Sequence, residues 1–304
     1  MIRKAISILM LTLLPILAQE DFLRGVRAED LMLERIEAVP VEIAKEIEDR
    51  RFDYWDEPIL SVAYSPDTAL IAEARTEKPG GRVIGLWIIS SKTNTEKKIV
   101  EGLVDDLKWS PNGKYLSFIK LEYVANPVDD KLPRKPFFNT DRLCLYDNQT
   151  GEIKNIISMG GLSTEHSWAP FDNYLAYSYR DKGKYILAIF DAESNKNIIV
   201  DELIYCDLWN FSWSPNGRML AYTKPLKMDR YINEEAPIES EVFVVNYDGT
   251  GKKQITHTPQ PEIFVKWLSD GKSIMVERYK EMPDSVTGGG DIENVVLKLR
   301  KKGE

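Results

Sequence analysis

The sequence predicts an all-β protein, a β-propeller of five four-stranded blades, and three observations predict it. The stretch LKWSPNGKYLSFIK at 107–120 returns almost unchanged as FSWSPNGRMLAYTK at 211–224. Looser copies begin at Val62 (VAYSPDTALIAEA), His166 (HSWAPFDNYLAYS) and Val265 (VKWLSDGKSIMVE). The anchoring aromatics Tyr64, Trp109, Trp168, Trp213 and Trp267 follow one another at 45, 59, 45 and 54 residues, and a period of about 20–50 residues marks repeat architecture.

Each unit is legible strand by strand. The aromatic closes a short first strand, and Ser-Pro-Asn-Gly is a turn because Pro presets one dihedral and Gly accepts a positive φ. An alternating apolar run follows as the second strand. A further pair of runs, such as RLCLYDNQTGEIKNI or VFVVNYDGTGKKQIT, has Asp or Asn before Gly at its centre, a hairpin signal. Strand, turn, strand, loop, strand, turn, strand is one propeller blade.

Ahead of the blades stand two other segments. MIRKAISILMLTLLPILAQE has a basic start, an apolar stretch from Ala5 to Leu17 and Ala18 before Gln19, the layout of a secretory signal peptide and short for a membrane span. Residues 1–18 are therefore expected to be a signal, cleaved or retained as an anchor. Residues 19–56 are expected to be a short helical or extended segment, with Phe22, Val26, Leu31, Leu33 and Ile36 in an imperfect helical pattern. Residues 57–304 are expected to be the propeller, its last blade completed by a strand from residues 38–58 if the ring borrows one.

Composition excludes some classes. The formal net charge of −8 argues against a nucleic-acid backbone as ligand, which wants a basic surface. Losing the signal would take that charge to −10. No segment after the signal is apolar enough to span a bilayer. Cys144 and Cys206, expected in different blades, read as buried thiols. No nucleophile elbow, P-loop or H-E-x-x-H occurs, and no metal or cofactor is implied. His166 shares the inward side of its strand with Trp168 and reads as an interior histidine, while His257 reads as exposed.

SPNGKYLSF, SPNGRMLAY and VFVVNYDGTGKKQITHTPQP resemble the WD40-like repeats of the TolB-like β-propeller family. The resemblance covers residues 57–300 and implies a propeller of usually six blades in a periplasmic protein that works with partner proteins. This chain departs in two ways. It counts five blades, and about 38 residues stand where the family's founding member carries an α/β domain.

Alternation along the first strands suggests a site. If the anchor and the residue two before it face the blade interior, the residues one and three before it face the channel. One ring is then Ser61, Asp106, Glu165, Asn210 and Phe264, and the next is Ala63, Lys108, Ser167, Ser212 and Lys266. A second candidate comes from the spacing. Relative to a 45-residue blade, the second has 14 extra residues and the fourth has 9, all between the second and third strands. These expected loops carry Tyr123, Arg134, Phe137, Phe138, Arg230 and Tyr231, aromatic area with cations beside it, the usual anchors of protein contact.

Two functions remain open at this level. One is an exported, monomeric, non-catalytic binding propeller that holds a protein or peptide on its loop-bearing face and channel mouth. The other is a propeller enzyme acting on a small molecule or sugar, with a cation held by Asp106, Glu165 and Asn210.

Overall fold

The computed structural model describes residues 22–39, 61–76, 83–124, 137–159, 165–182, 184–204, 211–231, 234–281 and 291–304. The signal segment, Arg134, Asn210 and Cys206 lie outside them. The described chain forms five four-stranded antiparallel sheets, the blades of a β-propeller, and divides between two compact units.

One unit, built from residues 51–164 and 179–183, holds the first two blades. Blade 1 is β2 (Val62–Tyr64), β3 (Leu70–Thr76), β4 (Val83–Ser90) and β5 (Glu96–Glu101), and blade 2 is β6 (Leu103–Trp109), β7 (Tyr115–Val124), β8 (Phe137–Asp147) and β9 (Ile153–Met159). The core lies between the two sheets: Ala72, Leu86, Ile88 and Val100 of blade 1 pack on Leu107, Trp109, Leu116, Phe118 and Cys144 of blade 2. The Trp109 indole N–H donates to the Ala63 carbonyl across the gap at 3.1 Å.

The other unit holds the remaining blades. Blade 3 is β10 (His166–Trp168), β11 (Tyr174–Asp181), β12 (Lys184–Asp191) and β13 (Lys196–Leu203). Blade 4 is β14 (Phe211–Trp213), β15 (Met219–Tyr231), β16 (Glu234–Asn246) and β17 (Lys253–Gln254). Blade 5 is β18 (Glu262–Trp267), β19 (Ser273–Tyr279) and β20 (Ile292–Lys301), with β1 (Leu31–Ala38) as its outer strand. Trp213 fills the layer between blades 3 and 4, its indole N–H donating to the Ser167 carbonyl at 3.0 Å. Trp267 fills the layer between blades 4 and 5 with Met219, Val242 and Val244, its indole N–H having no hydrogen-bond partner among the described residues.

The repeated Ser-Pro-Asn-Gly now has a physical account. In blade 4 the Ser214 hydroxyl donates to Asn216 Oδ1 (2.8 Å) and accepts from Met219 N (3.0 Å). Asn216 Oδ1 also accepts from Arg218 N at 3.0 Å, and Gly217 supplies φ +66°. Blade 2 repeats the set with Ser110, Asn112 and Gly113, and blade 1 repeats it with Ser65 and Asp67. There Thr68 occupies the glycine position at φ +57°, a strained setting for a β-branched residue.

The N-terminal segment was expected to be helical or extended, and residues 19–21 and 40–56 of it lie outside the described residues. Among the described residues Phe22 and Leu23 are helical, a 3-10 turn covers Ala28–Asp30, and β1 follows, pairing with β20 from Leu31↔Lys301 to Ala38↔Val295. A borrowed strand was expected from 38–58, and it is 31–38 instead. It is latched to the β16–β17 hairpin. Ala28 N–H donates to Asn246 Oδ1 at 2.9 Å, Asn246 Nδ2 donates to Glu29 Oε2 at 3.0 Å, and Lys253 Nζ donates to the Glu29 carbonyl at 3.1 Å. The Glu29 carboxyl is held down at about 2 by a backbone N–H, Arg27 and Asn246.

Candidate functional site

The extra residues of blades 2 and 4 fall between second and third strands, as expected, but the described ones are strand rather than loop. β7 and β8 pair from Tyr115↔Asp147 out to Val124↔Phe137. β15 and β16 pair from Met219↔Asn246 out to Tyr231↔Glu234, with bulges near Lys227. Phe138 stands opposite Tyr123 and Phe137 opposite Val124, while Arg230 stands opposite Glu235. The signal for the blade 4 hairpin was in the sequence as charge complementarity. Lys224↔Glu241, Lys227↔Glu239 and Arg230↔Glu235 are register partners, and opposite charges are favoured at such cross-strand positions.

The root of that hairpin is pinned to blade 3. Buried Asp201 of β13 accepts from Lys224 Nζ (2.8 and 2.9 Å), Tyr222 Oη (2.8 Å) and Lys252 Nζ (3.1 Å). Burial pushes the Asp201 carboxyl up, and the hydrogen bonds from Lys224, Tyr222 and Lys252 outweigh it, leaving the group below its ordinary value. The long hairpin therefore springs from a fixed base.

In blades 3 and 4 the described first-strand residues alternate in burial, and in blades 2 and 5 they do so only from Asp106 to Trp109 and from Phe264 to Trp267. Leu107, His166, Phe211 and Val265 are buried with their anchors, and Trp109, Trp168, Trp213 and Trp267 are 9, 9, 7 and 5% exposed. Asp106, Lys108, Glu165, Ser212, Phe264 and Lys266 are half-buried, on the other side of their strands. Blade 1 differs: no blade precedes it in its unit, and Tyr64 is 63% exposed.

Several of these side chains are already committed. Ser61 Oγ accepts from Leu107 N at 3.1 Å, and Ser212 Oγ accepts from Trp267 N at 3.0 Å, so both hydroxyls tie neighbouring blades together. Asp106 sits in a bulge of β6 at φ +52°, and its carboxylate meets Lys108 Nζ at 2.8 Å. Burial raises the neighbouring Asp105 carboxyl. This face offers a paired charge rather than an open carboxylate. Among the described residues no group of three or more His, Cys, Asp or Glu is gathered to hold a metal.

Sequence reasoning missed one titratable pair. Glu241 of β16 and Glu262 at the start of β18 are both buried. Thr256 Oγ1 donates to Glu241 Oε2 (2.6 Å) and Thr258 Oγ1 to Glu262 Oε1 (2.7 Å), while Glu262 Oε2 has no hydrogen-bond partner among the described residues. Burial pushes Glu262 up to about 8, with the Glu241 charge adding to it and Thr258 and Arg278 opposing. Neither glutamate lies in a recognisable motif, so only the fold brings them together. Cys144 is buried as expected, its thiol donating to Asn155 Oδ1 at 3.3 Å, and His257 is exposed beside Gln254.

Comparison with known proteins defines the class. Dipeptidyl peptidase 4 of Porphyromonas gingivalis superposes with a TM-score of 0.51 at 12% identity, over 73% of this chain and 36% of that one. TolB of Acinetobacter baumannii matches with a TM-score of 0.42 at 14% identity, over 78% of this chain and 49% of that one. In sequence, dipeptidyl-peptidase 5 of Porphyromonas endodontalis is 33% identical over 64 residues, 21% of this chain and 9% of that protein. No family model matches the chain. Its five four-stranded sheets make the chain a β-propeller, and TolB is among its structural neighbours. It spans half or less of the length of each of these relatives. No helix among the described residues is long and apolar enough to cross a membrane.

Proposed function

We propose that the chain is an exported, non-catalytic binding propeller that holds an extended protein or peptide segment against its insertion hairpins. One observation carries the reading. β15 and β16 run 13 residues each, while β14 pairs only with Leu220–Tyr222 and β17 only with Phe243 and Val244. Among the described residues the outer half of the hairpin thus presents two strand edges, and an unpaired edge is a template for an added strand. Backbone bonding supplies affinity in that mode, and flanking side chains supply choice. Here those are Tyr123, Phe137 and Phe138 on one hairpin, Arg230 and Tyr231 on the other. The 64-residue likeness to a dipeptidyl-peptidase is in keeping with a peptide as occupant, and the apolar N-terminus is in keeping with export.

The test replaces Phe137, Phe138 and Tyr231 together with Ala in the full chain. Affinity is then measured for the partner captured by a photo-crosslinking residue at position 123. A loss of roughly 2 kcal/mol, about 30-fold, is expected, with the fold retained. Full affinity in the triple variant ends the reading. So does a catalytic turnover that Asp106→Asn with Glu165→Gln abolishes.

A further inference from the structure

A four-stranded meander puts its first and third turns at one end of the blade and its central connection at the other. At the turn end of blades 3 and 4, away from the β15–β16 hairpin tip, the N-terminal segment crosses the turns and forms one wall of an open cleft of about 820 Å³. Three arginines line it, Arg24, Arg27 and Arg218, although the chain carries a formal charge of −8.

The three are not equivalent. Arg27 is committed, with Glu29 at 2.8 Å, Thr250 Oγ1 at 2.6 Å and Asp248 at 3.8 Å. Arg218 meets Asp172 only at 3.6 Å, beyond good hydrogen-bond length, and its guanidinium lies 5.3 Å over the Tyr247 ring. Arg24 makes no hydrogen bond or ion pair with any described residue. The lining also has an apolar part: Phe171, 56% exposed, Pro215, and Tyr247, which Tyr174 holds at 4.8 Å between ring centroids.

We propose that this cleft binds a small organic anion, its carboxylate paired with Arg24 and Arg218 and its apolar body seated on Phe171, Pro215 and Tyr247. The volume falls within the roughly 300–1,000 Å³ of small-molecule sites. Planar guanidinium groups suit a carboxylate, which they bind through two parallel N–H donors. Asp172, on the rim, supplies the opposing charge that an incoming anion displaces from Arg218. Arg24 belongs to the N-terminal segment and Arg218 to blade 4, so the anion bridges the two. That segment is otherwise held here by Asn216 Nδ2 to the Leu23 carbonyl at 3.4 Å and by Ala28 to Asn246. Ligand binding therefore fastens the N-terminal segment to blade 4 and raises the melting temperature.

The probe is N-acetyl-phenylalanine, titrated calorimetrically into the full chain beside its amide, which has the same body and no charge. The acid should bind at least tenfold more tightly than the amide and should alone raise the melting temperature. Arg24→Gln and Arg218→Gln should each weaken it at least fivefold. Because Arg24 is exposed and bonds to no described residue, its variant should melt as the parent does without ligand. A carboxylate on a peptide end and a free acid share this chemistry, and Ala-Ala-Phe with a free C-terminus separates them. Tighter binding of the tripeptide identifies the peptide end, and equal binding identifies the free acid. Equal affinity for acid and amide overturns the proposal, as does an Arg24→Gln variant that binds as well as the parent or the absence of binding at millimolar acid. The insertion-hairpin variants leave this result untouched, so the two sites fail separately.

Discussion

Gly251→Ala tests how the N-terminal strand is latched. Gly251 has φ +66°, and a Cβ there would overlap the Glu29 carboxylate and the Asn246 amide. Two costs follow. An L residue in the left-handed region costs roughly 1–2 kcal/mol, partly offset by about 0.4–1 kcal/mol from the stiffer unfolded chain. Displacing Asn246 also strands the buried Ala28 N–H, which costs about 1–3 kcal/mol. Gly25 is a matched control, since its φ is +68° and a Cβ there meets nothing within 4 Å. Gly25→Ala should therefore cost about 1 kcal/mol and Gly251→Ala roughly 2–4 kcal/mol. Urea unfolding followed by far-UV circular dichroism gives both values, and hydrogen exchange should show the excess concentrated in the β1 amides. If the two variants agree within about 0.5 kcal/mol, the latch through Asn246 contributes nothing and the reasoning fails.

Trp213→Ala should cost roughly 3–5 kcal/mol as a large cavity between blades, and Trp213→Phe about 1–2 kcal/mol, chiefly the lost bond to Ser167; equal costs in urea melts would refute that division. Thr68→Gly should stabilise blade 1 by about 0.5–1 kcal/mol by relieving a positive φ, and a destabilised variant would show that Thr68 is not strained. Glu262 is raised to about 8 from an ordinary value near 4.5, so its neutral form is the one the fold accommodates. Its contribution is fully present below pH 4.5 and is lost as pH rises through 8. The melting temperature should fall over that window in the parent and stay level in Glu262→Gln; parallel profiles would contradict the assignment.

Much of this fold was legible because each blade is written locally. Anchor, turn and alternating run sit within about 15 residues, and the turn chemistry of Ser110, Asn112 and Gly113 is complete within one hexapeptide. The inner-strand alternation was equally readable, since a period of two survives in HSW and FSW with Ser facing away from the core. It failed at β6, where a bulge between Asp105 and Lys108 breaks the register. No residue type announces such a bulge when the αL position is filled by Asp rather than Gly.

Two segments were harder to read, each for its own reason. β1 buries Leu31 fully and little else, because an outermost strand has only one neighbour in its sheet. Its bulge between Leu33 and Arg35 shifts the pattern by one, which turns an alternating run into something close to a helical spacing. Its partner β20 lies more than 250 residues away, so nothing local could have decided between them. The β15–β16 hairpin was hidden differently. Pro225 and Pro237 inside the strands look like loop signals, yet Pro225 sits beside the bulge that ends at Lys227 and Pro237 beside the next. A proline is tolerated at such points because the ladder bond it cannot make is already missing. In this chain, then, Pro marks where a strand bends, and the opposed charges on either side mark that it continues.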